Sequence, residues 1–399
     1  MKILFECKSI HPNYSGGIEN YTYMLVNAWR KYFPQDHIVL NIPPETKRDY
    51  IEHLGNDNNI EYKIDPVWKK IITIQKNNIL LNFLFRALKK IIPSLWSVFN
   101  GYRRKWVRLL DIEADVIIVT FHKSKFIHNF QKTILVVHDL RNWDFEESKR
   151  IKEKQIKIES YVIEKSNKIV VSWPYPMKRI LQLFPQKKGA INMIPFMYDP
   201  FNHADITTNK AGDYLYYSSN NGIHKNHENL IKGLALYNER NKGKQLKLIC
   251  TGPIVKERDI VLQKLIKELG LEKIVSFLGF VKREEVFELY RNAFCIITST
   301  KYEAFSGTMM EAYAFKKPVI GSKIPAITEF LDYYNIESLL FDPDSPEEIA
   351  FSIEMMCDNY NYYIKKSEEA FNKLKFITPE YTVKKFRELA KEITENNIQ

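Results

Sequence analysis

Short apolar, β-rich runs alternate with helical stretches along most of this chain, and that alternation restricts the fold more than any other feature. Runs at 2–6, 38–41, 60–63, 116–119, 134–137, 168–171 and 191–194 read as strands, as do 214–218, 246–250, 274–277, 294–298, 319–320 and 339–341. Helical patterns fall between them, at 146–165, 175–184, 256–269 and 283–291 among others, and a last amphipathic helix covers 379–396. Strands that are apolar along their whole length are buried on both faces, and strands that alternate with helices form parallel, doubly wound sheets. The chain is therefore read as α/β. Its 399 residues suffice for two such domains. The polar, Pro-containing segment from 194 to 210 interrupts the alternation and reads as the linker, which gives an N-terminal domain, 1–195, and a C-terminal domain, 196–378.

Most of the chemistry gathers in 294–321, FCIITSTKYEAFSGTMMEAYAFKKPVIG. A buried strand leads through a polar break to Glu303, Ala304, Phe305, Ser306, Gly307 and Thr308. From Met309 the pattern turns helical, and Lys317-Pro318 ends it. Two carboxylates, Glu303 and Glu311, thus bracket a small-residue loop that opens a helix. The free N–H groups of such a loop attract anions, and in a parallel sheet it lies at the carboxyl end of a strand, where ligands bind. Plain surface charge is a poorer account of Glu311, which has Met309, Met310, Ala312 and Ala314 around it, than of Glu303.

Other strand ends carry further sites. Gly16-Gly17, between the first strand and a helix starting near Ile18, is either a simple turn or a point where a ligand approaches the backbone. His138-Asp139 ends the strand at 134–137, and His138 is either a structural histidine or a ligand contact. Asn220, Asn221 and Gly222 form a turn after 214–218, and Lys225 stands where the next helix begins, placed to meet a phosphate. His224 and His227 lack a third ligand nearby and are not read as a metal site. Asp342-Pro343-Asp344 precedes Ser345-Pro346 and a helical pattern, so it reads as part of a helix cap rather than a metal–nucleotide motif.

The order Glu303, seven residues, Glu311, Ala312, Ala314, Pro318, Val319, Ile320, Gly321 resembles the family 4 retaining glycosyltransferases, of the bacterial surface-polysaccharide type. Two positions depart from the family pattern: Ala304 where Gly is usual, and Asn220 where an Arg usually precedes the Lys. The resemblance implies a GT-B fold, two Rossmann-like doubly wound parallel-sheet domains facing across a cleft, with the last helix, 379–399, packed back on the N-terminal domain. It also implies roles. Lys225 and the loop from Ala304 to Thr308 would hold the donor diphosphate, with Asn220 beside them. Glu311 would accept hydrogen bonds from ribose hydroxyls. Glu303 would hold the transferred hexose, His138 would touch the sugar with Asp139 orienting its ring, and Gly16 and Gly17 would face the ligand. The family needs no metal and no cofactor beyond the donor, a UDP- or GDP-linked sugar.

Charge is unevenly placed. Residues 1–200 hold 32 Lys and Arg against 20 Asp and Glu, whereas residues 201–399 hold 27 against 28. Between 66 and 110 there are ten basic residues, Lys89, Lys90, Arg103, Arg104 and Lys105 among them, and no acid. Aromatic and aliphatic side chains are interleaved with them, which suits an amphipathic segment on an anionic membrane. A core helix with a basic face and a nucleic-acid patch are the alternatives. The start, MKILFECKSI, reads as a strand rather than a signal peptide, and four scattered Cys suit a reduced, cytoplasmic protein at the inner face of the membrane. The expected activity is retaining transfer of a hexose to a lipid-linked or polysaccharide acceptor of bacterial cell-surface glycan, such as O-antigen, capsule or lipopolysaccharide, with no nucleic acid as partner. A nucleotide-sugar epimerase or phosphorylase of the same fold, and a membrane-binding scaffold with a decayed sugar site, are the competing readings.

Overall fold

The computed structural model describes residues 1–10, 17–43, 46–55, 59–64, 113–124, 126–127, 129–144, 149–197 and 212–396. Gly16 and the basic stretch with Lys89, Lys90, Arg103, Arg104 and Lys105 lie outside the described residues. The chain forms two compact units: Met1–Ser172, Arg179–Met197 and Pro379–Gln399 make the first, Trp173–Lys178 and Tyr198–Thr378 the second.

In the first unit the described elements are β1 (Lys2–Glu6), α1 (Gly17–Tyr32), β2 (His37–Ile42), α2 (Lys47–Leu54), β3 (Ile60–Ile64), β4 (Val116–Val119), β5 (Thr133–Val137), α3 (Arg141–Asp144), α4 (Lys149–Lys165), β6 (Lys168–Val171), the part of α5 (Pro174–Leu183) from Arg179 onward, and β7 (Ile191–Met193). Its strands run parallel in the order β3-β2-β1-β4-β5-β6-β7. Every residue of β4 and β5 is buried. That is why these runs, VIIV and TILVV, show no polar alternation: helices cover both faces. Each such Val, Ile or Leu contributes roughly 1.5–3 kcal/mol on burial. Helix α1 has Glu19 in its first turn and Arg30 and Lys31 in its last, matching the helix dipole.

In the second unit β8 (Tyr214–Ser218), α6 (His227–Arg240), β9 (Lys247–Thr251), α7 (Lys256–Glu268), β10 (Val275–Phe277), α8 (Arg283–Asn292), β11 (Cys295–Thr298), α9 (Gly307–Ala314), β12 (Val319–Ser322), α10 (Pro325–Tyr334), β13 (Leu339–Phe341), α11 (Pro346–Asp358) and α12 (Tyr360–Leu374) follow in turn. The sheet is parallel, in the order β10-β9-β8-β11-β12-β13. In both sheets the order reverses beside the first strand, β1 or β8, and the carboxyl ends around such a reversal form a ligand crevice. Ser345 caps α11 by accepting from Glu348 N at 3.1 Å, with Pro346 next. Gly233 lets α6 and α11 pack closely: a Cβ there would lie 2.6 Å from Ile349 Cγ2. Helix α13 (Pro379–Asn396) belongs to the first unit. It adds Val383, Phe386, Leu389, Ala390 and Ile393 to that unit's core, and Arg387 Nε donates to the buried Asp36 Oδ2 at 2.9 Å.

All four cysteines are free, and Cys7, Cys250 and Cys295 are buried. Among the described residues no helix is long and apolar enough to cross a membrane.

Candidate active site

The loops after β8 and β11 are tied together by polar side chains. After β8 the chain makes a short 3-10 turn, Ile223–Lys225, and Asn226 then adopts a left-handed conformation (φ 58°) before α6 starts at His227. The expectation that Lys225 opens the helix itself is thus corrected: a local hydrogen-bonded turn lies in between. Asn226 tolerates this backbone, and its side chain secures it, because Nδ2 donates to Ser299 O at 3.0 Å and to Pro343 O at 2.7 Å. In return Ser299 Oγ donates to Lys225 O at 2.9 Å and Lys301 N to His224 O at 2.8 Å. Lys225 and Glu303, 78 residues apart in sequence, thereby come together as a partly buried ion pair, Nζ to Oε1.

The loop beyond Glu303 is equally fixed. Ala304 is buried, and Phe305 stacks on Trp173 with ring centroids 3.9 Å apart and planes 11° from parallel. Ser306 caps α9, accepting from Met309 N at 3.4 Å, so Gly307 and Thr308 form its first turn. Thr308 Oγ1 donates to Ser218 O at 2.9 Å, which places this helix start at the carboxyl end of β8. Glu311, one turn on, is nearly covered and pairs with Arg283 of α8, Nη1 to Oε1, at 2.7 Å. Asn220 makes its own turn, with Oδ1 accepting from Gly222 N at 3.0 Å. Gly252 lets the loop after β9 pass this turn: its φ is +131°, and a Cβ would sit 2.7 Å from the Ser219 backbone. Buried His227 stacks on Tyr217 at 4.9 Å, and burial pushes its pKa down to about 3. Among the described residues no group of three His, Cys, Asp or Glu is placed to hold a metal ion.

In the first unit His138 follows β5, and Gly17 opens α1 with nothing within 4 Å of the Cβ it lacks. His138 Nε2 lies 2.9 Å from Thr120 O. A carbonyl only accepts, so Nε2 carries the proton and Nδ1 keeps its lone pair. Burial holds the ring below its usual pKa, and Tyr21 packs edge-on at 4.8 Å. The orienting acceptor is therefore Thr120 O and not Asp139, which instead accepts from Arg141 N at 3.1 Å and faces Lys123 at 3.7 Å. Behind it Glu159, fully buried, accepts from Asn142 Nδ2 at 2.5 Å, and burial pushes it up to about 7.

The sequence reading missed Asn226, Trp173 and Arg283. An Asn between a turn and a helix start is a visible signal for the left-handed conformation. Trp173 and Arg283 carry no local signal, because each matters only through a partner distant in sequence.

Two Rossmann-like parallel-sheet units in one chain make this the GT-B fold. Residues 199–373 match the model of the family described as glycosyl transferases group 1. Over 355 residues, 88% of this chain and 91% of the relative, the sequence is 22% identical to the O-antigen chain mannosyltransferase RfbU of Salmonella typhimurium. Over 219 residues, 50% of this chain, it is 26% identical to mannosylfructose-phosphate synthase of Agrobacterium fabrum, and that match spans 47% of the relative. HepE of Anabaena, crystallised in complex with UDP and glucose, shares the fold with a TM-score of 0.69 and 16% identity, covering 98% of this chain and all of HepE.

Proposed function

We propose that this protein is a retaining hexosyltransferase that takes a hexose from a UDP- or GDP-sugar and passes it to a lipid-linked or polysaccharide acceptor of bacterial cell-surface glycan. The observation that carries the reading is the Lys225–Glu303 pair, held by the loops after β8 and β11 and followed by the capped start of α9. It lies within the residues matched by the family, and the similarity to RfbU over most of both chains supports the surface-glycan acceptor.

In this reading the diphosphate binds Lys225 and the N–H groups of Gly307 and Thr308, where the helix dipole adds to the attraction. Lys225 turns to the phosphate, and the Glu303 carboxylate is released to accept from hexose hydroxyls and to stabilise positive charge at the anomeric carbon. The bond from that carbon to the phosphate oxygen breaks, the bond to the acceptor oxygen forms on the same face, and the acceptor's proton passes to the departing diphosphate. Lys225 and the N–H groups take the leaving group's charge, the work a metal ion does in other transferases. The basic stretch with Lys89, Lys90, Arg103, Arg104 and Lys105 holds the protein at the inner face of an anionic membrane.

The test is release of UDP or GDP from a panel of donor sugars, with and without membrane lipid extracts. Acceptor-dependent release that persists in chelator, with the product's anomeric configuration retained by NMR, is the expected result. Turnover of free nucleotide sugar without acceptor would favour the epimerase, and no release with any donor the scaffold.

A further inference from the structure

Glu159 lies on α4 and meets the loops that follow β4 and β5 in the first unit. Its side chain and that of His122 are fully buried, with His122 Nε2 3.9 Å from Glu159 Oε1. Lys123 Nζ stands 3.4 Å from the same oxygen and 3.7 Å from Asp139 Oδ1, so one ammonium is shared by two carboxylates. Asn142 of α3 also donates to Glu159 Oε1, at 2.5 Å. Two loops thus hang on one side chain, the first through Lys123 and the second through Asn142. Yet among the described residues neither ring nitrogen of His122 nor Glu159 Oε2 has a hydrogen-bond partner. Buried polar atoms are rarely left so.

Burial takes the His122 pKa down to about 3, so the ring is neutral and one of its nitrogens offers a lone pair. Burial takes Glu159 up to about 7, against the attraction of Lys123 and with the repulsion of Asp139. A proton taken up on Oε2 can be donated to the His122 lone pair, which satisfies both orphan atoms. Lys123 is then left to Asp139, and Asn142 faces a neutral acceptor. The neighbouring groups are otherwise engaged: His138 Nε2 at Thr120 O, Arg141 N at Asp139, and Asp144 of α3 with Arg179. We propose that Glu159 is a positioning residue that works as a proton switch. Charged, it holds Lys123 and Asn142 and so fixes the strand ends that carry His138 and Asp139. Protonated, it turns to His122 and releases them. Ligands bind at the carboxyl ends of parallel strands, and this edge gains one positive charge when the proton arrives. The inference concerns the first unit alone and does not need the donor reading.

Hydrogen exchange of the full chain, read by mass spectrometry from pH 6 to pH 8 and corrected for the intrinsic pH dependence of exchange, tests it. Segments 120–124 and 138–144 are expected to be about tenfold better protected at pH 8 than at pH 6, the scale of one hydrogen bond to a charged group. The sheet of the second unit should show no such change. Glu159→Gln imitates the protonated carboxyl, so both segments should stay poorly protected throughout. Equal protection at both pH values in the unaltered protein, or a pH dependence that survives in Glu159→Gln, overturns the switch. Should Glu159→Gln not fold, Lys123→Met takes its place. Segment 138–144 should then lose its pH dependence, and its retention overturns the switch equally.

Discussion

Lys225 and Glu303 neutralise each other, and each is placed by backbone that the other's loop holds. Glu303→Gln and Lys225→Met are each expected to lower kcat by roughly a hundredfold or more, the usual scale for removing one electrostatic group from a transition state. The double variant should be little worse than the poorer single one, because the two act as a unit. Nucleoside diphosphate release measures both. His227 gives a pH prediction. Its pKa is near 3 in the folded chain against 6.5 for the free side chain, because burial opposes the charge. The unfolded chain therefore takes up a proton that the folded one refuses, and stability falls as pH drops below 6.5. His227→Phe keeps the stack on Tyr217 and removes this penalty. Its urea midpoint should fall less between pH 7 and pH 5 than that of the unaltered protein, a relative gain of about 2 kcal/mol at pH 5.

At the scale of elements, the loop from Glu303 to Ser306 depends on Trp173, which stacks on Phe305 and meets Phe330 edge-on at 5.4 Å. Trp173→Ala is expected to cost about 3 kcal/mol by urea unfolding and to loosen donor binding, since nothing else fills that volume. Helix α13 is fastened by Arg387: burial raises the Asp36 carboxyl, but hydrogen bonds from Arg387, the Met1 amine and Trp29 together outweigh it and hold that carboxyl below its ordinary 3.8. A carboxyl lowered in this way adds stability at neutral pH that is lost as the pH falls below about 4. Arg387→Ala should lower the free energy of urea unfolding at pH 7 by about 2–3 kcal/mol, and the gap to the unaltered protein should narrow in acid. The strands of both sheets could be read from the sequence because full burial of parallel strands writes itself as unbroken apolar runs, as in β4 and β11. The turn from Ile223 to Asn226 could not, since its shape is set by Ser299 and Pro343, more than seventy residues away.

For the molecule as a whole, the excess positive charge of residues 1–200 is the property that bears on where it works. Replacing Lys89, Lys90, Arg103 and Arg104 with Glu is expected to abolish cosedimentation with vesicles containing anionic lipid. UDP and GDP affinity should not change, because those residues lie far outside the stretch that builds the donor loops. Vesicle binding that survives this change would remove the basic stretch from the proposal, and no binding by the unaltered protein would remove the membrane.

By itself the sequence determined the two parallel α/β sheets, the helix cap at Ser345 and the pair of acids around an N–H-rich loop, because each is written in neighbouring residues. Only the tertiary structure decided which charges meet: Lys225 with Glu303, Arg283 with Glu311, His138 with the Thr120 carbonyl. Hydrogen bonds and contact ion pairs form only when the groups touch, so such partners are settled by how the chain returns on itself, and spacing along the sequence carries no record of that.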